Sequence, residues 1–301
     1  MDNFIFPPFL NETDKVVIVS PSGKIDKSFL KGAEKRLLSW GLKPMLSKYA
    51  DSSFGKYAGT IEHRAKDFQT AMDDKDIKAI FCSRGGYGAV HIIDKLDFTY
   101  FRKHPKWMIG FSDITALHCL FQSQGYASIH SPMARHLTIE PEDDPAAGFL
   151  KDLLFGQLLH YCCSPHKLNH QGDAFGILRG GNMSVLYGLR STHYDIPPEG
   201  TILFIEDVNE RPHAVERIMY NLKLGGVLEK FSGLIIGQFT EYEENNSLGK
   251  NLYSALADVM KEYEYPVCFN FPVGHVTNNL PLINGAYVKF TVSKNMVELH
   301  F

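Results

Sequence analysis

The sequence predicts an α/β protein with two domains, in which a doubly wound parallel sheet precedes a smaller α+β domain. Strand-like and helix-like segments alternate with short connections through the first half, and this regularity is lost between Ile139 and Gly176. A chain of 301 residues is also long enough for two packed domains. We therefore expect an N-terminal α/β domain at 1–150, a crossover linker at 151–178 and a C-terminal α+β domain at 179–301.

The first half carries the signals of buried parallel strands. Lys15 to Ser20 is a short β-branched apolar run that stops at a Pro-Ser-Gly turn. Lys27 to Trp40 has the apolar spacing of a helix, and Gly41 is placed to end it. A ligand crevice is expected at the carboxyl ends of such strands. By the same criteria we predict strands at Lys43–Leu46, Ala79–Ser83 and Trp107–Phe111 and helices at His63–Met72 and Ala89–Leu96.

The second half mixes strands and helices less regularly. Its strand-like segments are Thr201–Glu206, Gly233–Gly237 and Ala286–Val292, and its helical segments are Ala214–Leu222 and Ser254–Tyr263. This mixture predicts the α+β domain.

Composition and charge favour a globular protein that acts on small molecules. Hydrophobic residues make up 44% and charged residues 22% of the chain. The 31 basic and 34 acidic side chains give a net charge of −3, which provides no positive field for nucleic acid or for an anionic membrane.

Cysteine usage and the N-terminus predict a cytoplasmic protein. The five cysteines are odd in number and lack the spacing of a disulfide framework, so we expect reduced thiols. Met1 to Leu10 carries an aspartate and two prolines where a signal peptide needs a basic segment and an apolar one. No apolar run approaches membrane-spanning length.

Ser112 is the candidate nucleophile. It follows the strand that ends in Gly110-Phe111 and precedes a helical segment, so its hydroxyl is expected on a strand-to-helix turn. The N–H of Asp113 is then placed as an oxyanion donor. A serine at a helix start is also typical of a plain N-cap, and that alternative stays open.

The segment Arg84-Gly85-Gly86-Tyr87-Gly88 allows the backbone to approach a ligand closely, since glycine has no side chain and accepts positive φ. Its N–H groups are suited to an anion. Neither dinucleotide nor P-loop phosphate motif is present, which disfavours nucleotide binding, and a structural tight turn is the remaining alternative.

Glu206 is the candidate to orient a histidine, and His275 is one candidate for that histidine among the thirteen in the sequence. Glu206 and Asp207 end an apolar strand, and an N-cap of the following helix would account for Asp207, which leaves Glu206 to orient a histidine. His275 follows Pro272-Val273-Gly274, a rigid turn that would hold an imidazole at a fixed angle.

One further cluster carries zinc-type ligand atoms. Its members are His160, Cys162, Cys163, His166 and His170. Their spacing fits no standard zinc finger, and we favour ordinary connector residues, with no metal site expected.

Taken together, these segments resemble the L,D-carboxypeptidase family of serine peptidases, which includes muramoyl-tetrapeptide carboxypeptidases and microcin C self-immunity peptidases. The resemblance runs nearly end to end. It rests on Val19-Ser20-Pro21-Ser22, Arg84 to Gly88, Lys106 to Leu117, Gly180-Gly181-Asn182, Phe204 to Val208 and Pro272 to His275.

The resemblance implies a flavodoxin-like N-terminal domain, a swivelling-type C-terminal domain and a homodimer. It also implies that Ser112, His275 and Glu206 are nucleophile, base and orienting carboxylate, with no metal or organic cofactor. The N–H groups of Gly86 and Asp113 would then stabilise the oxyanion. Arg84 or Arg217 would bind the free carboxylate of the substrate, which the sequence leaves undecided, and Tyr87 is a further binding candidate.

The implied substrate is the amide between the L-centre of diaminopimelate and the terminal D-alanine of murein tetrapeptide, cleaved during peptidoglycan recycling. Three alternatives stay open: a peptidyl-adenylate of the microcin type, a non-catalytic muropeptide-binding module, and a nucleotide-binding Rossmann protein.

Overall fold

The computed structural model of the chain describes residues 4–157, 160–244 and 248–301. Residues 1–3, part of the segment inspected for a signal peptide, lie outside these ranges. The chain divides into two compact units. Unit 1 comprises Met1–Leu158 and Leu280–Gly285, and unit 2 comprises Leu159–Asn279 and Ala286–Phe301. None of the described helices is both long and apolar enough to cross a lipid bilayer.

The strands are numbered in chain order: β1 (Lys15–Val19), β2 (Lys43–Leu46), β3 (Ile77–Cys82), β4 (Trp107–Gly110), β5 (Ser128–His130), β6 (His160–Cys163), β7 (Gly172–Asn182), β8 (Thr201–Val208), β9 (Gly233–Thr240), β10 (Val267–Phe269), β11 (Leu282–Asn284), β12 (Tyr287–Val292) and β13 (Val297–His300). The α-helices are α1 (Lys27–Ser39), α2 (Ile61–Asp73), α3 (Thr115–Ser123), α4 (Ala134–Ile139), α5 (Pro145–Leu154), α6 (Met183–Gly188), α7 (Pro212–Leu224) and α8 (Leu252–Met260).

Unit 1 contains a sheet whose described strands have the order β11-β5-β4-β3-β1-β2. Strands β1 to β5 pair in parallel, and β11 joins β5 antiparallel. The α/β class predicted from the sequence is confirmed, and the four strands predicted in the first half correspond to β1, β2, β3 and β4. Because their carboxyl ends lie at one edge, the loops after β1, β3 and β4 gather there.

Helix α1 shows how local sequence places an element of this unit. Asp26 caps it by accepting a hydrogen bond from the Ser28 N–H at 2.8 Å. Leu30, Ala33 and Leu37 are fully buried on one face. Gly41 adopts a φ of 84° just after the helix, as predicted for its end.

The predicted helix at Ala89–Leu96 is wrong. The structure has two short 3₁₀ turns there, Ala89–His91 and Ile93–Lys95. Ala89, Ile92 and Ile93 are buried, and their spacing of three or four residues is satisfied by single turns as well as by an α-helix. Gly88, at a φ of 127°, and the β-branched residues that follow favour the shorter form.

Lys106, just before β4, is fully buried and closes the end of α2. Its ammonium donates hydrogen bonds to the carbonyls of Met72 and Asp74, each at 2.7 Å, and of Ala71 at 3.3 Å. The last carbonyls of a helix have no partner within the helix. The lysine therefore satisfies the buried Ala71 and Met72 carbonyls at the end of the helix, while the Asp74 carbonyl also accepts from the Ile77 N–H at 3.3 Å.

Lys106→Met is expected to lower the free energy of unfolding by about 3 kcal/mol, because it leaves buried carbonyls unsatisfied. Urea unfolding followed by circular dichroism measures the change. Lys103→Met is the matched control, since Lys103 is exposed and its replacement should change stability by less than about 0.5 kcal/mol. Equal effects of the two variants would contradict this role of Lys106.

Unit 2 contains a sheet whose described strands have the order β10-β9-β8-β7-β12-β13-β6. Strands β7 to β10 pair in parallel, and β12, β13 and β6 continue the sheet antiparallel. Predicted strands at Thr201–Glu206, Gly233–Gly237 and Ala286–Val292 correspond to β8, β9 and β12. The predicted helices at Ala214–Leu222 and Ser254–Tyr263 correspond to α7 and α8.

The boundary between the units differs in detail from the sequence expectation. The expected crossover at 151–178 contains the end of α5, β6 and most of β7. The short strand β6 has the burial pattern exposed, buried, exposed and intermediate, but four residues are too few to give a clear strand signal in the sequence. The strand is defined by its pairing with the distant β13. Leu280–Gly285 returns to unit 1 through the pairing of β11 with β5.

Candidate active site

Ser112 occupies a strained position at the carboxyl end of β4. It begins a 3₁₀ turn, Ser112–Ile114, that continues into α3, and its φ is 65°. A residue with a Cβ in this conformation costs roughly 1–2 kcal/mol, and such strain is typical of functional sites. The plain N-cap alternative does not fit, because the N-cap of α3 is Ile114 and makes no side-chain cap hydrogen bond.

Gly85 lies directly against this serine. A Cβ added at Gly85 would lie 2.7 Å from Ser112 Cβ, 2.8 Å from Ser112 Oγ and 3.3 Å from the Asp113 nitrogen. The first two distances are shorter than real Cβ contacts, so the close approach requires glycine. The glycine segment after β3 therefore borders both the hydroxyl and the adjacent backbone N–H.

Gly85→Ala is expected to lower the catalytic rate by about 100-fold, because the new methyl group must displace the Ser112 side chain by a fraction of an ångström or more. Steady-state kinetics of the purified variant measures this loss. Gly148→Ala, within α5, is the matched control, since a Cβ there meets no heavy atom within 4 Å and alanine favours the helix. An unchanged rate in Gly85→Ala would show that the close approach of Gly85 to Ser112 does not matter for catalysis.

The Asp113 carboxylate holds the Ser112–Ile114 turn in place through hydrogen bonds. Asp113 is buried, and its Oδ2 accepts hydrogen bonds from the Ala89 N–H at 2.8 Å and from the Ser22 hydroxyl. One carboxylate thus joins the Ser112 turn to the segment after β3 and to the loop after β1. Ser22 lies in the Val19-to-Ser22 segment, and this hydrogen bond gives that segment a physical role.

Arg64, in α2, joins the same loops and was not predicted. Its Nη1 donates to the carbonyls of Pro21 at 2.8 Å and Gly88 at 2.6 Å. Burial lowers the pKa of Arg64, and the negative charge of Asp113 opposes this effect. The signal in the sequence is a charged residue in the buried stripe of α2 beside Phe68 and Met72.

The remaining predicted residues of unit 1 lie on the glycine segment. Gly86 has a φ of 121° and its backbone is exposed. The exposed Arg84 donates from Nη1 to the Lys24 carbonyl at 3.0 Å. Tyr87 is 48% exposed, and the Lys56 ammonium lies 4.5 Å from its ring centroid. These side chains are therefore accessible to a solute.

Glu206 and His275 form a hydrogen-bonded pair in unit 2. His275 Nδ1 lies 2.7 Å from Glu206 Oε2, and the Glu206 side chain is completely buried, while 20% of the His275 side chain is exposed. The carboxylate therefore selects the tautomer with the proton on Nδ1 and leaves Nε2 as an acceptor. The predicted pairing of these two residues is present.

The backbone at the ends of β8 and β9 sets the orientation of the Glu206 and His275 side chains. The β8–β9 register shifts at Glu206, so that Gly237 and Gln238 of β9 lie opposite one residue of β8. Gly274 has a φ of 129°, and a Cβ there would lie 2.9 Å from Glu206 Cβ. Its N–H donates to Asn279 Oδ1 at 2.9 Å, which fixes the backbone just before His275.

The environment makes His275 more basic than an ordinary histidine. Burial acts to lower the pKa of His275, but the hydrogen bond that His275 donates to Glu206 and the charges of Glu206, Asp207 and Glu241 outweigh it, so the pKa is raised. An imidazolium formed here would be stabilised by the same carboxylate. The pair can therefore accept a proton and hold it.

The prediction that Asp207 caps the following helix is wrong. Its carboxylate accepts from Asn182 Nδ2 at 2.9 Å and from the Ser184 N–H at 2.8 Å, so it binds the start of α6. The following helix, α7, has Arg211 as its N-cap, without a side-chain hydrogen bond. Asn182 lies beside Glu206 in the β7–β8 register, which brings α6 to Asp207.

The close packing of β7 on β8 explains the glycine at position 180 of the Gly-Gly-Asn segment. A Cβ at Gly180 would lie 1.9 Å from the Phe204 carbonyl oxygen, so only glycine permits this approach of β7 to β8.

Arg217, the last predicted binding residue, lies exposed on α7. The structure thus places the predicted residues around Ser112 on neighbouring loops of unit 1, and in unit 2 it joins Glu206 to His275 by a hydrogen bond.

A strained serine beside glycine backbone and an imidazole oriented by a buried carboxylate are the groups that serine hydrolases use. The comparisons with known sequences specify the family. The model of the LD-carboxypeptidase N-terminal domain matches residues 16–131, and that of the LD-carboxypeptidase C-terminal domain matches residues 175–290. The chain belongs to the LD-carboxypeptidase family, as the sequence motifs indicated.

Individual relatives agree with this assignment. The chain is 31% identical over 287 residues to the probable murein peptide carboxypeptidase of Bacillus subtilis, which covers 93% of this chain and 89% of the relative. It is 29% identical over 279 residues to the murein tetrapeptide carboxypeptidase of Pseudomonas aeruginosa, covering 88% and 89%.

Solved structures share the whole fold. The muramoyltetrapeptide carboxypeptidase from Oxalobacter formigenes superposes with a TM-score of 0.87 at 25% identity, covering 95% of this chain and 97% of that one. The wild-type apo form of the microcin C7 self-immunity protein MccF gives a TM-score of 0.89 at 22% identity, covering 99% and 98%. The MccF similarity, at this identity, concerns the fold.

Proposed function

We propose that the protein is a serine carboxypeptidase that cleaves an L,D-amide and releases terminal D-alanine from murein tetrapeptide. The observation that carries this proposal is the 2.7 Å hydrogen bond between His275 and the completely buried Glu206. A buried carboxylate on an imidazole is the arrangement that prepares a histidine to act as a general base. Relatives in Bacillus subtilis and Pseudomonas aeruginosa carry murein peptide and murein tetrapeptide in their names, which supports this substrate class.

The proposed reaction proceeds through an acyl-enzyme. Ser112 Oγ attacks the scissile carbonyl while its proton moves to His275 Nε2, and Glu206 holds the Nδ1 proton. The tetrahedral intermediate collapses as Nε2 returns the proton to the leaving nitrogen, and D-alanine departs. A water molecule then gives a proton to Nε2 and attacks the ester carbonyl. The second tetrahedral intermediate collapses as Nε2 returns that proton to Ser112 Oγ, which releases the shortened peptide and restores the neutral imidazole.

The N–H groups of Gly86 and Asp113 are the proposed oxyanion donors. This assignment is supported by the position of Gly85, which directly precedes Gly86 in the chain and lies close to both Ser112 Oγ and the Asp113 nitrogen. Loss of one such donor typically costs about 3 to 4 kcal/mol of barrier.

Binding of the free carboxylate is assigned to Arg84 rather than to Arg217. Arg84 directly precedes Gly85, the residue in contact with Ser112, whereas Arg217 lies on α7. A planar guanidinium donates two parallel hydrogen bonds to a carboxylate. Tyr87, exposed on the same segment, is proposed to line the path of the substrate peptide.

The reaction is placed in the cytoplasm, in the recycling of peptidoglycan, and the working form is proposed to be a homodimer. The odd number of cysteines without a disulfide-type spacing supports the cytoplasmic location, and the family resemblance supports the recycling role and the dimer. Light scattering during size-exclusion chromatography tests the dimer, because a monomer mass at micromolar concentration would contradict it.

The function is tested by incubating the protein separately with murein tetrapeptide, with a tetrapeptide that ends in L-alanine, and with a peptidyl-adenylate. Mass spectrometry is expected to show release of D-alanine from the first compound and no release of L-alanine from the second. Cleavage of the adenylate alone would replace the proposal by the microcin-type activity. Binding of the tetrapeptide without cleavage would indicate a muropeptide-binding module.

A further inference from the structure

Four potential metal ligands lie on one face at the end of the unit 2 sheet. Strand β6 pairs antiparallel with β13, and the register places His160 opposite His300 and Cys162 opposite Glu298. Residues two apart on a strand share a face, and residues directly opposite on the neighbouring strand share it too. Strand pairing therefore joins a His-x-Cys segment to a Glu-x-His segment that is more than a hundred residues away in the chain.

The ligand atoms are already close together. His160 Nε2 lies 3.3 Å from Glu298 Oε1 and 3.3 Å from Cys162 Sγ. The ligand atoms of these three residues all lie within 4.8 Å of one another. His300 Nε2 lies 3.6 Å from the same Glu298 oxygen, and its ring stacks on His160 with centroids 3.8 Å apart.

The separations among the His160, Cys162 and Glu298 ligand atoms suit a shared cation, and the His300 ring must turn out of its stack on His160 to direct its lone pair to the same ion. Zinc binds nitrogen and oxygen at about 2.0 Å and sulfur at about 2.3 Å in a tetrahedron, so neighbouring ligand atoms lie about 3.3 to 3.8 Å apart. A single His–Glu ion pair would account for one imidazole on the carboxylate. It leaves the second imidazole and the thiol on the same small patch unexplained.

We propose that His160, Cys162 and Glu298 bind a divalent transition-metal cation of the zinc class, with His300 as the fourth ligand. The donor set of two imidazoles, one thiolate and one carboxylate favours Zn²⁺ over Mg²⁺ and Ca²⁺, which prefer oxygen alone. The bound cation would clamp the edge strand β6 to β13. This site is independent of the proposed catalytic residues.

The other zinc-type residues of the segment lie elsewhere. Cys163 is next to Cys162 on the strand, so it points to the opposite face, and burial raises the pKa of its thiol to about 11. The His166 ring packs near Tyr253 and Phe269, with centroids 6.2 and 6.0 Å away. His170 pairs through its backbone with Val267 of β10, at the opposite edge of the sheet from β6. Of the sequence cluster, His160 and Cys162 are therefore the members that contribute to the proposed site.

The test uses the full-length protein without a histidine tag, stripped with a chelator and titrated with Zn²⁺ against a chromophoric competitor. One tightly bound ion per chain is expected. Co²⁺ in place of Zn²⁺ should give the intense visible bands of tetrahedral cobalt and a thiolate-to-metal charge-transfer band. Binding should weaken as the pH falls, because the thiolate and imidazoles take up protons.

Cys162→Ser is expected to weaken Zn²⁺ binding by at least about tenfold and to remove the charge-transfer band. Cys163→Ser is the matched control and should keep both the affinity and the band. His300→Ala should weaken binding and alter the visible bands while it keeps the charge-transfer band. Thermal unfolding without metal shows that each variant is folded, and Zn²⁺ should raise Tm in the parent and in Cys163→Ser but not in Cys162→Ser. The proposal fails if the parent binds no ion at the stated stoichiometry, or if Cys162→Ser binds as the parent does.

Discussion

Replacement of Ser112 by alanine is expected to lower kcat for D-alanine release by about 10⁴- to 10⁶-fold while the protein stays folded. The hydroxyl is the proposed attacking group, and no neighbouring atom supplies an equivalent nucleophile on the same turn. Single-turnover assays with the tetrapeptide measure the residual rate, and circular dichroism reports on folding. Substrate binding should persist in the variant, because the binding groups are unchanged.

Ser123→Ala is the matched control for this loss. Ser123 ends α3, the helix that begins just after Ser112, and its hydroxyl only donates to the Leu120 carbonyl at 2.7 Å. The control should keep the parental kcat. A parental rate in Ser112→Ala would remove this serine from the mechanism, whatever the substrate.

The strain at Ser112 gives the same position a second readout. Its φ of 65° disfavours any side chain with a Cβ, so Ser112→Gly should be more stable than Ser112→Ala by about 1 kcal/mol. Urea unfolding of the two inactive variants measures the difference. The reverse order would show that the turn is not strained.

Glu206→Gln is expected to lower kcat by about 10²- to 10⁴-fold and to move the acidic limb of the pH–rate profile to lower pH. In the parent, Glu206 helps to raise the pKa of His275 above its ordinary value of about 6.5, and only the neutral imidazole accepts the serine proton. Activity therefore rises with pH through that raised pKa. An amide in place of the carboxylate removes the raising effect, whereas burial still lowers the pKa.

Two measurements follow this change separately. Steady-state kinetics gives the pH–rate profile, and NMR titration of the His275 ring gives its pKa without reference to catalysis. Glu241→Gln is the matched control, because it removes the same charge from an exposed side chain that makes a minor contribution to the pKa of His275. An acidic limb that stays in place in Glu206→Gln would argue against His275 as the titrating base.

Much of unit 1 is predictable because its signals are local. The apolar run at Lys15–Ser20 and the helical spacing at Lys27–Trp40 reappear as β1 and α1 within one residue at their ends. Ser112 follows a strand in the sequence prediction and in the structure, since the strand, the turn and the helix are formed by consecutive residues. The motif order also selected Glu206 and His275 from many acids and thirteen histidines, through the family resemblance.

The errors arise where distant residues decide the outcome. Asp207 binds the start of α6 rather than that of α7, because β7 places Asn182 beside the end of β8. No sequence motif predicts the role of Arg64, since its hydrogen-bond partners are backbone carbonyls of two separate loops. Strand β6 has only four residues, too few for a clear alternation signal, and β13 supplies the pairing that defines it.

The sequence by itself determined the α/β class, the position of the turn that carries Ser112, and the glycine segments, because apolar periodicity, caps and glycine conformations act over a few neighbouring residues. Only the tertiary structure decided the imidazole–carboxylate hydrogen bond, the fixation of the Ser112 turn by Asp113 and Arg64, and the meeting of His160 and Cys162 with Glu298. Those contacts depend on strand register and loop packing, which are set by the simultaneous burial of segments far apart in the chain.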